Sequence, residues 1–159
     1  MTGYSATVSW KQGNGAFAGG RYSRAHIWEF DGGAVVKASS SPEAVPLPYS
    51  DASAVDPEEA LVAALASCHM LWFLSIAAKR GFSVQSYRDH ASGVLAPGPR
   101  GKLCMTTVTL RPHTVFTSAN APAHEALVAM HEEAHGECYI ANSVTTRLTT
   151  VPTFEVSTE

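Results

Sequence analysis

The sequence lacks several features that would assign the chain to a common functional class. It has no run of basic residues and a formal net charge of -3, so it lacks the basic face that nucleic-acid binding requires. It contains no CxxC or HExxH motif, no phosphate-binding glycine loop and no dinucleotide fingerprint, and we expect no cofactor. Its first residues show no charged segment followed by an apolar one, which predicts a cytoplasmic protein without a secretion signal.

The chain does contain three cysteines, Cys68, Cys104 and Cys138. They are odd in number and far apart, a pattern that in a reducing compartment indicates catalysis, redox sensing or metal binding rather than a structural disulfide framework. The chain has 159 residues, of which 45% are hydrophobic. That is enough to bury a core, and we predict a single domain over residues 1–159.

Residues 56–81 predict the long helix around which the rest of the chain is organised. Asp56 is a favourable N-cap, and Glu59 three residues later completes an acidic form of the capping box. The segment ends in Lys79-Arg80-Gly81, a cationic last turn followed by a glycine stop. Because the residues between are almost all apolar, we expect this helix to be buried on every side. The few polar residues within it argue against a membrane span.

Alternating and β-branched segments on both sides of this helix predict a sheet-rich domain. The proline-rich residues 40–55 cannot continue a sheet, and residues 122–137 place apolar side chains at helical spacing. The predicted order is three strands, a helix, two strands, a helix and a final strand, which indicates an α+β domain with helices packed on a sheet. The predicted strands are residues 4–10, 24–30, 34–39, 84–94, 104–116 and 147–156.

Cys68, near the middle of the predicted central helix, is the first candidate for chemistry. A thiol buried by packing alone has a raised pKa and is inert, whereas a thiol beside a cation becomes a nucleophilic thiolate. Arg24 and Arg21 are the candidate cations, and Glu58 could orient such an arginine through a bidentate pair. Glu58 lies ten residues before Cys68, about 15 Å along a straight helix. A shared site therefore needs the reaching arginine, a kink or a second subunit.

Two alternatives compete with a reactive thiol. The cysteines could simply fill core space, because free cysteine is among the most buried residue types. His131, His135 and Cys138 stand at i, i+4 and i+7 on one helical face, a spacing that suits zinc, and Cys68 or His69 could complete four ligands. No paired metal motif accompanies them. His69 is more simply explained as a hydrogen-bonded histidine than as a base.

Two motifs resemble those of the OsmC and organic hydroperoxide resistance (Ohr) proteins. The run Asp56-Pro57-Glu58-Glu59-Ala60-Leu61, continued by Ala63-Ala64 and Ser67-Cys68, is similar to the PEE(L/A)xxAAxxxC helix of that family. The run Ala134-His135-Gly136-Glu137-Cys138 is similar to its AHxxC motif. The two cysteines lie 70 residues apart in the expected order. Tyr139 replaces the proline that follows the second cysteine in the family, which indicates a less typical branch.

The resemblance implies an OsmC-like fold, in which antiparallel sheets pack around a long buried helix in an intertwined homodimer, and a thiol-dependent peroxidase of the stress response. Cys68 would be the peroxidatic thiolate, and Cys138 the resolving thiol that forms a disulfide with it. Glu58 would position an arginine, with Arg24 preferred for its offset from the Asp31-Gly32 turn and Arg21 as the alternative. The implied substrate is an organic hydroperoxide, and the implied reductant is a dithiol such as a lipoylated protein.

The residues that follow Cys68 bear on the choice of substrate. An apolar wall from Met70, Leu71, Trp72, Phe73 and Leu74 would favour alkyl or fatty-acid hydroperoxides over hydrogen peroxide, since each buried methylene contributes about 0.8 kcal/mol. The rival hypothesis is a non-catalytic module that binds a small hydrophobic ligand, or a redox sensor. Neither hypothesis involves a nucleic acid or a membrane.

Overall fold

The fold consists of two compact units whose boundary falls within the first helix. A computed structural model describes residues 2–13, 15–117 and 120–157, and the units are Met1–Ala60 and Leu61–Glu159. The chain forms two α-helices, one short 3₁₀ helix and three small sheets in its described residues, so the α+β class is confirmed. The assignment of residues 1–159 to a single domain stays a prediction.

The N-terminal unit is built on an antiparallel sheet of three strands in the order β1-β2-β3. A tight turn joins β2 to β3, and Gly33 within it has a φ of 85°, a conformation that glycine adopts without strain. The proline-rich segment after β3 does not form a further strand, as predicted. It forms turns and returns to β3 through a parallel bridge between Ala38 and Val55. The strands are β1 Ala6–Ser9, β2 His26–Phe30 and β3 Val35–Ala38.

The first helix, α1, spans Pro57–Lys79 and begins and ends as its sequence predicts. The Glu59 N–H donates to Asp56 Oδ1 at 2.7 Å, and the Asp56 N–H donates to Glu59 Oε2 at 3.2 Å, which completes the capping box. At the other end Gly81 has a φ of 80°. The Phe82 N–H then donates to the Ala77 carbonyl at 2.9 Å, a bond typical of a glycine-terminated helix.

In this chain α1 is buried along one stripe rather than on every side. The buried residues follow the helical repeat, whereas Leu71 on another face is 62% exposed. By length and composition alone α1 could cross a membrane, a property that it shares with the core helices of soluble proteins. The buried stripe consists of Leu65, His69, Phe73, Ile76 and Ala77.

The C-terminal unit contains two mixed sheets of three strands each, in the orders β4-β7-β9 and β5-β6-β8. In each sheet the first pair of strands is antiparallel and the second pair is parallel, so the predicted antiparallel sheets are in part mixed. The strands are β4 Val84–Asp89, β5 Ser92–Pro97, β6 Leu103–Leu110, β7 Pro112–Phe116, β8 Arg147–Thr150 and β9 Thr153–Val156.

Three of the predicted strands are each divided in two. Each is divided where the chain passes from one of these two sheets to the other. The Arg111 N–H donates to Asp89 Oδ1 at 2.7 Å, and the Val151 N–H donates to the Leu110 carbonyl at 2.9 Å, so the three breaks lie side by side. Pro152 has no N–H to continue a ladder at the third break. The predictions of single strands over 84–94, 104–116 and 147–156 were therefore wrong.

The second helix, α2, spans His124–Glu137 and packs against the buried stripe of α1. Its residues Leu127, Met130 and Ala134 share one core cluster with Phe73 of α1 and Phe116 of β7. A second cluster joins the first half of α1 to the sheet that contains β6. The short 3₁₀ helix Ala141–Ser143 follows α2. This packing brings the end of α2 close to the middle of α1.

Candidate functional site

The contact between α1 and the end of α2 brings Cys68 and Cys138 together. Cys68 is half-buried on α1, Cys138 is fully buried at the C-cap of α2, and both are free thiols. The two thiols lie close enough for Cys68 to raise the pKa of Cys138. Four residues were proposed for catalysis. The C-terminal unit contains two of them, Cys68 and Cys138, and brings these two together.

Backbone amides of the 3₁₀ helix hold the Cys138 sulfur in place. The Cys138 N–H donates to the His135 carbonyl at 3.3 Å, which ends α2 at this residue. The Ala141 N–H then donates to Cys138 Sγ at 3.4 Å. The sulfur is therefore fixed by the turn that follows the helix as well as by packing.

Electrostatics separate the roles of the two thiols. Burial, with smaller contributions from the interaction with Cys68, raises the pKa of Cys138 to about 11 despite the opposing effect of the Ala141 and Ile140 amides. Cys138 is therefore a protonated thiol at neutral pH, able to donate its S–H to Cys68. Since Cys68 is also the less buried of the two, it is the sulfur that a substrate in solution can reach.

Arg24 and Glu58 both line a cavity of ≈480 Å³ in the N-terminal unit. The Nη1 group of Arg24 donates to the Gly20 carbonyl at 2.7 Å and to the Tyr22 carbonyl. The Arg24 Cζ lies 3.7 Å from the centroid of the Tyr22 ring, a cation–π contact. The two backbone carbonyls and the Tyr22 ring thus hold the guanidinium of Arg24. Among the residues that the structure describes, Arg24 and Glu58 form no ion pair. Arg21 is exposed.

Three aromatic residues that the sequence analysis did not assign to a site form the apolar wall of this cavity. The ring centroids of Trp10, Phe17 and Tyr22 lie 4.7 to 5.7 Å apart, and the Trp10 Nε1–H donates to the Ser23 carbonyl at 2.8 Å. The signal was present as aromatic residues in and around the glycine-rich residues 13–20, to which no helix or strand was assigned.

The apolar wall predicted from residues 70–74 is not one surface. Phe73 is fully buried in the core of the C-terminal unit, whereas Leu71 is 62% exposed. Trp72 instead packs edge-on against the Tyr139 ring, with centroids 5.5 Å apart. Because consecutive helical residues point in different directions, a run of apolar residues on α1 cannot line a single pocket.

His69 and His131 form a buried pair that joins α1 to α2. The Nε2 atom of His69 lies 2.9 Å from Nδ1 of His131, so His69 is hydrogen-bonded, as predicted. Burial lowers the pKa of His69 to about 4 and that of His131 to about 3, and both rings are neutral at physiological pH. Their outer nitrogens, Nδ1 of His69 and Nε2 of His131, have no hydrogen-bond partner.

This pair also bears on the zinc alternative. His131 and Cys138 are buried and His135 is exposed, although the two histidines lie on α2 and Cys138 is its C-cap. Among residues 2–13, 15–117 and 120–157, no three His, Cys, Asp or Glu side chains are grouped so that they could hold a metal ion. Within these ranges the zinc alternative has no set of three ligands.

Comparisons with known proteins place the chain in a family. Residues 50–152 match the family model of OsmC-like proteins. The structure is similar to that of an OsmC-like protein of unknown function from Vibrio cholerae O1 biovar El Tor, with 52% sequence identity and a TM-score of 0.93 over 96% of this chain and 99% of that chain. No curated protein matches the chain.

More distant structures share the fold. An organic hydroperoxide resistance protein from Elizabethkingia anophelis has 13% identity and a TM-score of 0.67 over 99% of this chain and 98% of that chain. An organic hydroperoxide resistance protein OsmC from Legionella pneumophila has 15% identity and a TM-score of 0.64 over 98% of each chain. At this level of identity the similarity concerns the fold alone. With its family-model match and its close relative from Vibrio, the chain belongs to the OsmC-like family and has the fold that its two motifs predicted.

Proposed function

We propose that this protein is a thiol-dependent peroxidase that reduces organic hydroperoxides to alcohols. The observation that carries the proposal is the proximity of the half-buried Cys68 to the buried Cys138 in a member of the OsmC-like family. Two proteins of the same fold are named as organic hydroperoxide resistance proteins. Two free thiols in contact, one of them accessible, suit a reaction that passes through a sulfenic acid and a disulfide.

The reaction takes place in three steps. The Cys68 thiolate attacks the terminal oxygen of the hydroperoxide, the O–O bond breaks, and the alkoxide leaves and is protonated to the alcohol. Cys68 is thereby oxidised by two electrons to a sulfenic acid. The Cys138 sulfur then attacks the sulfenic sulfur and loses its proton, and water leaves as the disulfide forms. An external dithiol reduces this disulfide by exchange.

The raised pKa of Cys138 supports this division of roles. The thiolate is the nucleophilic form of cysteine, and Cys138 is a protonated thiol at neutral pH. It therefore does not compete with Cys68 for the hydroperoxide. Its contact with Cys68 leaves it ready to react when the sulfenic acid has formed.

Arg24 and Glu58 keep their proposed roles, Arg24 as the cation that stabilises the Cys68 thiolate and Glu58 as the residue that positions Arg24. Support comes from the N-terminal unit, where both residues line the cavity with the aromatic wall. That wall suits the organic part of an alkyl, aryl or fatty-acid hydroperoxide, because apolar groups gain free energy on leaving water. A lipoylated protein is the proposed reductant.

We also propose that the protein is a cytoplasmic homodimer. One face of α1 carries small and apolar residues that are exposed in the single chain, with Leu71 62% exposed at its centre. A second copy of the chain would cover this face, since identical surfaces pair readily across a twofold axis. The exposed residues of the face are Ala64, Ser67, Leu71, Ser75 and Ala78.

Turnover of cumene hydroperoxide with dihydrolipoamide as reductant tests the proposal. Cys68→Ser is expected to lose turnover, and Cys138→Ser to stop after one equivalent, with a sulfenic acid at Cys68. Cys104→Ser is the matched control, because Cys104 is an exposed thiol on β6, and it is expected to keep wild-type turnover. Unchanged turnover in Cys68→Ser would refute the peroxidase.

The aromatic cavity also favours a second candidate, a non-catalytic module that binds a small hydrophobic ligand. The two candidates differ in thiol chemistry under one equivalent of cumene hydroperoxide. The peroxidase loses two thiols per chain within the time of mixing. The binding module keeps all its thiols during that time while it still takes up a hydrophobic fluorescent probe.

A further inference from the structure

The segment before β2 holds Arg24 by its backbone as well as by its side chain. The Arg24 N–H donates to the Tyr49 carbonyl at 2.8 Å, and the Arg24 carbonyl lies 2.7 Å from Nδ1 of His26. In the part of the chain that the structure describes, the strand pairs of β2 begin at His26, so no ladder bond supports the Arg24 carbonyl. The orientation of the Arg24 backbone therefore depends on the His26 ring.

The hydrogen bonds of His26 determine which of its nitrogens carries the proton. Trp28 Nε1 lies 2.9 Å from His26 Nε2, and an indole nitrogen can only donate. His26 Nε2 therefore accepts, and the proton of the ring lies on Nδ1. A carbonyl oxygen can only accept, so the contact with Arg24 independently requires the same tautomer. His26 thus accepts from Trp28 and donates to Arg24.

The position of His26 on β2 gives its ring a rigid support. His26 and Trp28 are two residues apart on the same strand, so their side chains lie on one face of the sheet. Their ring centroids are 6.0 Å apart, and both residues are half-buried. Because β2 is the middle strand of its sheet, it is paired on both sides. The middle strand therefore fixes the ring that holds the Arg24 carbonyl.

The backbone of Arg24 in turn sets the direction of its side chain. With its N–H and its carbonyl both held, the side chain leaves the backbone in one direction and reaches the Gly20 and Tyr22 carbonyls and the Tyr22 ring. Arg24, Glu58 and His26 line the same cavity. A misplacement of about 1 Å in a catalytic group can slow a reaction about a hundredfold. The bond from His26 can therefore affect the chemistry without any contact between His26 and the substrate.

We propose that His26 is a positioning residue for the thiol reaction. Its Nδ1–H, oriented by Trp28, holds the Arg24 carbonyl and thereby directs the guanidinium. This inference rests on the proposed function, in which Arg24 stabilises the Cys68 thiolate. His26 acts through Arg24 and not on the hydroperoxide.

Two amide variants separate the two hydrogen bonds of His26. Asparagine carries an N–H donor close to the position of Nδ1, whereas the longer glutamine carries its amide near the position of Nε2. In single-turnover oxidation of the reduced protein by cumene hydroperoxide, His26→Gln is expected to react about threefold or more slowly, because it loses the bond to Arg24. His26→Asn is expected to restore a rate within about twofold of wild type. His113→Gln is the control, because His113 bonds to Thr153 in the C-terminal unit, and it should react as wild type does.

A double-mutant cycle separates positioning from a general structural role. Arg24→Met removes the guanidinium that His26 directs, so adding His26→Gln to Arg24→Met is expected to cause no further slowing. If His26 acted by shaping the cavity, its replacement would slow the reaction equally in both backgrounds.

The tautomer of His26 can be measured without any variant. The reduced wild-type protein is labelled with ¹⁵N in histidine, and long-range ¹H–¹⁵N spectra report which ring nitrogen carries the proton. We expect His26 to be protonated at Nδ1 and unprotonated at Nε2. This measurement keeps the proposal testable if His26→Gln does not fold.

Four results would overturn the role of His26. They are a wild-type rate in His26→Gln, a rate in His26→Asn as low as that in His26→Gln, equal slowing by His26→Gln with and without Arg24, and a wild-type ring protonated at Nε2. A slow Arg24→Met beside a normal His26→Gln would remove the role of His26 alone. A wild-type protein that does not reduce hydroperoxide would overturn the proposed function, and the role of His26 with it.

Discussion

Replacing both His69 and His131 with leucine is expected to make the stability of the protein far less sensitive to acid. The two rings are buried and hydrogen-bonded to each other, and burial lowers the pKa of His69 to about 4 and that of His131 to about 3 from the ordinary value of 6.5. The double replacement with leucine removes both titrating groups, so neither histidine is left buried without its hydrogen-bond partner.

The sign of the effect follows from proton binding. As the pH falls below 6.5, the unfolded chain takes up protons at both histidines while the folded chain does not, so acid favours unfolding. The loss begins near pH 6.5 and stops only below the folded pKa values of about 4 and about 3. Each ring contributes about 1.4 kcal/mol per pH unit in that window. Between pH 7 and pH 5 the pair therefore removes roughly 4 kcal/mol of stability.

Urea unfolding at pH 7 and pH 5, at one protein concentration, measures this difference. The double variant is expected to lose about 4 kcal/mol less than wild type between the two pH values. His135→Leu is the matched control, because His135 lies on the same helix but is exposed, and its pH dependence should follow wild type. Equal pH dependence in wild type and the double variant would refute the neutral buried pair.

Three further predictions concern the helix start, a tight glycine and the thiolate. Asp56→Ala removes the acceptor of the Glu59 N–H and should lower the free energy of unfolding by about 1 kcal/mol; no change would contradict the capping box. Gly93→Ala places a Cβ against the flexible end of Met105 and 2.8 Å from Cγ2 of the stiffer Val62, and it should cost about 1–3 kcal/mol in urea unfolding, whereas Gly13→Ala, with nothing within 4 Å, should not. In stopped-flow oxidation at pH 7, Arg24→Met should slow the reaction of the peroxidatic thiol about tenfold or more and the exposed Arg21→Met should not, and the reverse order would exclude Arg24.

Local signals were sufficient to predict the helices and the family. The Asp56 and Glu59 pair and the Gly81 stop act over a few residues, and the structure contains the hydrogen bonds that they predict. The cysteine spacing within the two motifs likewise pointed to the OsmC-like family, which is confirmed. Signals of this kind depend only on residues that are near in the sequence, so they can be recognised before the tertiary fold is known.

The division of the long strands depended in part on distant residues and was not predicted. Residues 104–110 are all β-branched or apolar, but Pro112 follows Arg111 and has no N–H for a ladder, which is a local signal of a break that the prediction did not use. At the break, the Arg111 N–H donates to the Asp89 side chain, and the Leu110 carbonyl accepts from the Val151 N–H. Both partners are distant in the sequence. Pro152 interrupts the third predicted strand, but the two strand breaks that lie beside it in space are far away in the sequence.

The candidate site shows the same contrast. The contact of Cys68 with Cys138 agrees with the motifs, because each cysteine sits at a fixed helical position. The pairing of His69 with His131 depends on how α1 packs on α2, and His131 had been considered only as a zinc ligand. Side chains on two helices can be predicted as partners only when the helix packing is known.

The most direct test of the thiol account is a peptide map by mass spectrometry after one equivalent of cumene hydroperoxide is added to the reduced protein. The account predicts a linked peptide that contains Cys68 and Cys138, with Cys104 still a free thiol. An oxidised protein in which Cys68 and Cys138 both remain free, or are joined to other partners, would contradict it.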